Sequence, residues 1–309
     1  MSALTVVVMG YRNRGTIVDA VRSVLQQESP TPFEVVVVTS GGDGSADAVR
    51  AHFPDVAVLD SSQRLLPGGA RNAGVAAAKG DVIAFLAADC RAEPGWISSR
   101  LAAHRAGHVA VASAVTNGGA HTPSGWASHY LQYAWRSPSR PAGPVSYPDA
   151  RVYGISFDRA LLARLGPFDD ALPAGEDALV SRCLGEEGIP VWYEPAVRTA
   201  HIGSAGFRHM LADLYRRGQL RTKIRSSWEG TPSRKRALWM AVRRWRMLLL
   251  SATVMMWRSG PHTRARLLLF PWLAVGAAAF VAGWTREGLR MTGTTPGEHK
   301  KRHARTETE

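Results

Sequence analysis

The chain is 309 residues long, 45% hydrophobic and 20% charged, with a formal net charge of +13 and two cysteines. It holds enough apolar side chain for a full-sized core, while Cys90 and Cys183 alone exclude a disulfide framework and a four-thiolate zinc site. The basicity is uneven: residues 1–204 carry 17 Lys/Arg against 19 Asp/Glu, and residues 205–309 carry 21 against 6, so a polyanionic partner belongs to the C-terminal third.

The opening MSALTVVVMGYRNRG lacks a basic n-region, and its apolar run Leu4–Met9 is too short for a signal peptide. With so few cysteines, a reducing, cytosolic setting is the simpler expectation. Leu4–Met9, Phe33–Val38, Val56–Leu59 and Val82–Leu86 read as strands, separated by amphipathic stretches over Thr16–Gln27, Ser45–Phe53 and Ala70–Lys79. This alternation predicts an α/β domain with a largely parallel sheet and right-handed crossovers. Ligands of such sheets sit beyond the carboxyl ends of the strands, which directs attention to the segments after Met9, Val38, Leu59 and Leu86. Pro138–Pro148 reads as a loop, order resumes at Val152–Phe157, helical patterns cover Arg159–Leu165 and Glu176–Glu187, and Pro190–Tyr193 reads as a strand.

Several residues on this frame carry chemistry. Asp89 follows a buried strand, where a carboxylate could hold Mg²⁺ or Mn²⁺ against a diphosphate or simply cap a turn. Glu176 and Asp177 open a helix; there they could act on a substrate or only favour the helix dipole and free N–H groups. Arg71 and Asn72 follow two glycines at a helix start, a place suited to phosphate and equally to a tight turn. Tyr11 could stack on a base or merely pack. Trp96 reads as core, and Cys90 as a lone thiol.

The order of motifs is more specific than any one of them: Gly10-Tyr11-Arg12-Asn13, then Thr39 to Ser45 (TSGGDGS), Gly68 to Gly74 (GGARNAG), Gly80 to Asp89 (GDVIAFLAAD), Gly166-Pro167-Phe168-Asp169, Gly175-Glu176-Asp177 and His201. From Leu4 to His201 this series resembles the family 2 glycosyltransferases with a GT-A fold. The resemblance implies an inverting, metal-dependent transferase of the hexosyltransferase type that uses a nucleotide-diphospho-sugar. It implies Asp89 as metal ligand, with Ala87 replacing the first carboxylate of the usual Asp-x-Asp and Ala88 beside the donor. It implies Asp177 as catalytic base, Glu176 as an acceptor-side contact, and His201 as a ligand of metal or phosphate. Donor contacts fall to Tyr11, Arg71 and Asn72, and Thr39 and Ser40 stand where the family commonly has an Asp against the nucleobase, with Asp43 as a substitute or a plain Asp-Gly turn.

Beyond His201, Met247–Trp257 is apolar but too short to span a bilayer, whereas the uncharged Leu267–Trp284 is about the minimum length. Two readings stand: a basic, Trp-laced module on the cytoplasmic face of the cell membrane, suited to a lipid-linked or cell-envelope glycan acceptor, or a helical lid that packs its apolar faces within the protein. The expected division is a transferase domain over 1–205, a basic apolar helical region over 206–290 and a disordered tail over 291–309. No nucleic-acid module accompanies the charge. The rival functions are a degenerate membrane-binding scaffold and a sugar nucleotidyltransferase.

Overall fold

The structure, a computed structural model, describes residues 3–119, 121–145, 154–203, 206–229, 233–258 and 268–291. The chain divides into two compact units, Met1–His121 with Tyr133–Gly203, and Thr122–Gln132 with Ser204–Glu309.

The first unit is built on one sheet. Strands β1 (Leu4–Tyr11), β2 (Phe33–Ser40), β3 (Ala57–Ser61) and β4 (Val82–Ala87) run parallel, in the order β3-β2-β1-β4. The sheet then continues through β8 (Ile155–Asp158), β6 (Ala110–Asn117), β9 (Val191–His201) and β5 (Cys90–Ala92), with β7 (Gly143–Val145) on β9. β8 runs against both β4 and β6, and β6 runs parallel to β9. The carboxyl ends of β1, β2, β3, β4, β6 and β9 therefore share one edge, and with them Tyr11, Ser40, Ser61, Ala87, Asn117 and His201.

The continuous valine runs exist because both faces of the sheet are covered. Val7, Val36, Val38, Ile83 and Phe85 face helices α3 (Pro67–Ala77), α6 (Arg159–Leu165) and α7 (Glu176–Glu186). Their alternates Val6, Val8, Val35, Val37 and Leu86 face α1 (Ile17–Leu25) and α4 (Trp96–Arg105), with α2 (Ser45–His52) beside α1. Each such side chain, fully buried, contributes about 1.5–3 kcal/mol. Trp96 is fully buried, as expected; its indole N–H donates to Thr199 Oγ1 at 2.9 Å, and the Arg100 guanidinium lies 4.0 Å from its ring centroid. Arg100 in turn donates to Ser156 Oγ at 2.8 Å and to the Val111 carbonyl, which fastens α4 to the reversed strand β8. His104 bridges the same Ser156 and Asp158. Burial first, then Arg100, depresses its pKa to about 3, so the imidazole is neutral and its contact with Asp158 is a hydrogen bond and not an ion pair.

The second unit holds α5 (Pro123–Tyr133), α8 (Phe207–Glu229), α9 (Arg234–Arg258) and α10 (Phe270–Met291). Its core combines Met210 and Leu214 with Leu249, Ala252 and Met256 and with Leu273, Ala277, Phe280 and Trp284. Helices α8 and α10 cross at glycines: a β-carbon on Gly218 would collide with the Phe280 carbonyl, and one on Gly283 with the Tyr215 carbonyl. This packing explains the apolar run expected at Leu267–Trp284. No described helix is long and apolar enough to cross a membrane; one face of the run, with Leu273, Ala277, Phe280 and Trp284, packs against neighbouring helices, while Leu268, Phe270 and Val275 are exposed. Leu267 and the polar stretch 292–309 lie outside the described residues.

Gly283→Ala tests the crossing. Alanine gains about 1 kcal/mol of helix propensity over glycine, but the collision with the Tyr215 backbone outweighs it, and a net loss of about 1–3 kcal/mol in denaturant unfolding is expected. A stabilised variant would show that the helices do not approach so closely.

Candidate active site

Asp89 lies just past β4, at the shared carboxyl edge. The Ala88 N–H donates to the Met9 carbonyl at 2.8 Å, and the Asp89 carbonyl accepts from the Ile202 N–H at 2.8 Å. The β5–β9 register sets Cys90 against His201. These ladders bring His201 Nε2 to 3.6 Å from Asp89 Oδ2, with the Asp89 side chain 43% exposed and His201 13%. Burial raises the Asp89 carboxyl pKa, but the hydrogen bond and charge of His201 and the Cys90 thiol at 3.5 Å outweigh it, and the net shift is downward. Asp89 is thus a carboxylate at neutral pH, open on one side.

Two groups 3.6 Å apart fit one octahedral ion: ligands at about 2.1 Å lie about 3 Å apart when adjacent and about 4.2 Å when opposite. Among the described residues no cluster of three or more His, Cys, Asp or Glu could hold a metal. The donor set suits a cation that draws its other ligands from phosphate and water, as Mg²⁺ and Mn²⁺ do.

The Gly68–Gly74 motif is tied into the protein interior. Arg71 and Glu176 form a buried ion pair, with the Arg71 guanidinium 5.7 and 5.5 Å from the ring centroids of Phe85 and Phe168. Asn72 donates to the Phe168 carbonyl at 2.8 Å and accepts the Phe168 N–H at 2.9 Å. A β-carbon on Gly68 would strike the Asp169 carbonyl, and one on Gly74 would strike Val7. All four positions pin the Gly166–Asp177 segment and α3 together on the sheet. Arg71 and Asn72, expected against the donor, are engaged inside the protein, and Glu176, expected on the acceptor, is buried beside Arg71. Burial raises the Glu176 pKa, Arg71 pulls it down and Asp177 pushes it up, for a net rise.

Asp177 is what this latch presents. It follows Glu176 in the first turn of α7, after Gly175 at φ +98°. Its side chain is half-buried, and among the described residues its carboxylate has no hydrogen-bond partner.

At the strand ends where the donor was expected, most of the named side chains are engaged within the protein. Thr39 is buried and donates to Asp60 Oδ1 at 2.7 Å across the β2–β3 register, and Ser40 is buried opposite Tyr11. Ala88 packs against Gly10 with its side chain in the core. Asp43 accepts from the Ser45 N–H, the Ser45 hydroxyl and the Arg14 N–H, which makes it a turn and helix-start residue. Thr39, Ser40, Ala88 and Asp43 therefore offer little to a base directly. The exposed groups at this corner are Tyr11, Asp60 and Arg64, whose guanidinium lies 4.6 Å from the Tyr11 ring centroid. Arg12 beside them holds a φ of +53°, a left-handed backbone that an arginine adopts only under constraint. Asp60 and Arg64 were not singled out in the sequence, although both come after Leu59, one of the places where ligands were expected.

Comparisons with known proteins agree with this layout. The model of the family described as Glycosyl transferase family 2 matches residues 5–163. The succinoglycan biosynthesis protein ExoO of Rhizobium meliloti is 42% identical over 93 residues, 29% of this chain and 26% of that protein. The pre-mycofactocin glycosyltransferase of Mycobacterium tuberculosis is 31% identical over 190 residues, 58% of this chain and 40% of that protein. The chain thus spans well under half the length of these curated relatives. Among solved structures, the mannosyltransferase PcManGT of Pyrobaculum calidifontis, in complex with GDP-Man and Mn²⁺, superposes with a TM-score of 0.60 at 19% identity, covering 93% of this chain and 87% of that one. At that identity the likeness shows the fold alone, a GT-A sheet flanked by helices. The family match runs from β1 into α6 and so takes in the donor-side strand ends and Asp89: the chain belongs to glycosyl transferase family 2.

Proposed function

We propose that the chain transfers a sugar from a nucleotide-diphospho-sugar to an acceptor hydroxyl, with inversion at the anomeric carbon. The observation that carries this reading is a pair of carboxylates in contrasting settings: Asp89 kept ionised beside His201, and Asp177 held at a helix start with no hydrogen-bond partner among the described residues. Family membership supplies the nucleotide-sugar donor class.

Asp89 and His201 would hold Mg²⁺ or Mn²⁺, which when bound offsets the charge that grows on the leaving diphosphate. Tyr11, Asp60 and Arg64 would receive the nucleoside. Asp177 accepts the proton of the acceptor hydroxyl as that oxygen bonds to the anomeric carbon and the bond from this carbon to the diphosphate breaks. Buried Glu176 and Arg71 position Asp177 without touching substrate. One relative is named for succinoglycan biosynthesis, and the acceptor proposed here is likewise a glycan or a lipid-linked cell-envelope precursor.

The test is a thermal-shift panel of UDP, dTDP and GDP, each with and without Mn²⁺. A nucleotide at about 100 times its Kd adds about 2.7 kcal/mol, so one metal-dependent shift, lost in Asp89→Ala, is the expected result. No shift with any nucleotide from folded protein would leave a degenerate scaffold as the better description.

A further inference from the structure

Helix α9 has two opposite faces, and both are apolar. Ala241, Leu249, Ala252 and Met256 are buried in the core of the second unit. A helix in water turns polar residues to the other side. Here that side carries Trp239 at 61% exposure, Met247 at 57%, Leu250 at 66%, Val254 at 37% and Trp257 at 46%. Trp239 and Trp257 are five turns apart, so they mark the two ends of one stripe about 27 Å long.

The charge on the helix selects the occupant. Arg234–Arg258 contains seven Lys/Arg and no Asp or Glu. Arg243 and Arg246 are exposed, fall on the stripe itself by helical spacing, and Arg243 lies 5.4 Å from the Trp239 ring centroid. Two copies of this face would bring unopposed arginines together, which disfavours self-association. An anionic lipid surface satisfies both parts: apolar side chains enter the acyl boundary, Trp rings sit at headgroup level, and the arginines extend to phosphates. No described helix suits a spanning role, so the arrangement is in-plane.

We infer that the outer face of α9, from Trp239 to Trp257, docks this protein on anionic membrane by lying in the plane of the lipid headgroups.

The test is co-sedimentation of the full chain with vesicles of phosphatidylcholine alone or with about 30 mol % phosphatidylglycerol. The wild type is expected to pellet with the anionic vesicles. Leu250→Glu/Trp257→Glu should weaken that binding by about tenfold or more, and Arg243→Gln/Arg246→Gln should weaken it on anionic vesicles only. Melting temperatures and any nucleotide-induced shift are read alongside and should be unchanged; if the double Glu variant unfolds, Met247→Gln/Leu250→Gln replaces it. The proposal is overturned if the wild type stays in the supernatant, or if the folded apolar-face variant binds as the wild type does. It is equally overturned if the wild type forms a lipid-independent dimer that this variant abolishes. The outcome is independent of whether the first unit binds a nucleotide.

Discussion

Asp177→Asn is expected to lower kcat by about 10²–10⁴-fold, the usual contribution of a positioned general base, with folding and donor binding unchanged. Asparagine keeps the size and the helix-start position of the carboxylate but cannot accept a proton at neutral pH. The Asp177 side chain has no hydrogen-bond partner among the described residues, so no hydrogen bond within them is lost with it. The expected signature is a collapse in turnover with an intact melting curve and an unaltered nucleotide-induced shift. Wild-type turnover in this variant would move the base to another residue, and a lowered melting temperature would make Asp177 a structural acid.

Arg71→Leu should give the largest loss of stability. It removes the cation paired with Glu176 and leaves a buried carboxylate alone between α3 and α7, a change that costs about 3–5 kcal/mol. The pH dependence has a definite sign. The folded-state pKa of Glu176 is raised above its ordinary value of 4.5, so the folded protein binds a proton that the unfolded chain has already released. Stability is therefore full below that value and falls as pH rises through the folded pKa. Without Arg71 the pull downward is gone and the window extends to higher pH, so the variant should lose most at neutral pH and recover toward pH 4.5. Urea unfolding at several pH values checks this. Leu at both positions should be milder than Arg71→Leu alone, since it strands no charge. An equal cost at every pH would mean that Glu176 is not the group left behind.

The parallel half of the fold was legible because its strands are buried on both faces and so read as unbroken apolar runs: β1, β2 and β4 contain the expected Leu4–Met9, Phe33–Val38 and Val82–Leu86. The rest was harder for physical reasons. β6 is Ala-rich, and β9 is interrupted by Glu194 and Pro195 near a register shift against Ser113 and Ala114. Only Pro190–Tyr193 of β9 announced itself, although its far end carries His201. Asp89, Asp177 and His201 were singled out from motif order, and their roles are those proposed above. The pairing of Arg71 with Glu176 was not legible, because a glycine-flanked arginine looks the same in sequence whether it meets a phosphate or a buried carboxylate 105 residues away. Leu267–Trp284 left two readings open for a similar reason: small and apolar residues suit lipid and a close helix crossing alike.

The fastening of Gly166–Asp177 onto α3 also bears on motion. Arg71, Asn72 and Gly68 hold that segment through groups buried against the β-sheet, among them Phe85 of β4. Its anchored ends, Phe168 and Glu176, should then exchange their amides with the cooperative core and not with the surface loops. Asp177 is in this respect fixed by the global fold, and adaptation to a new acceptor would have to come from elements other than the one that bears the base.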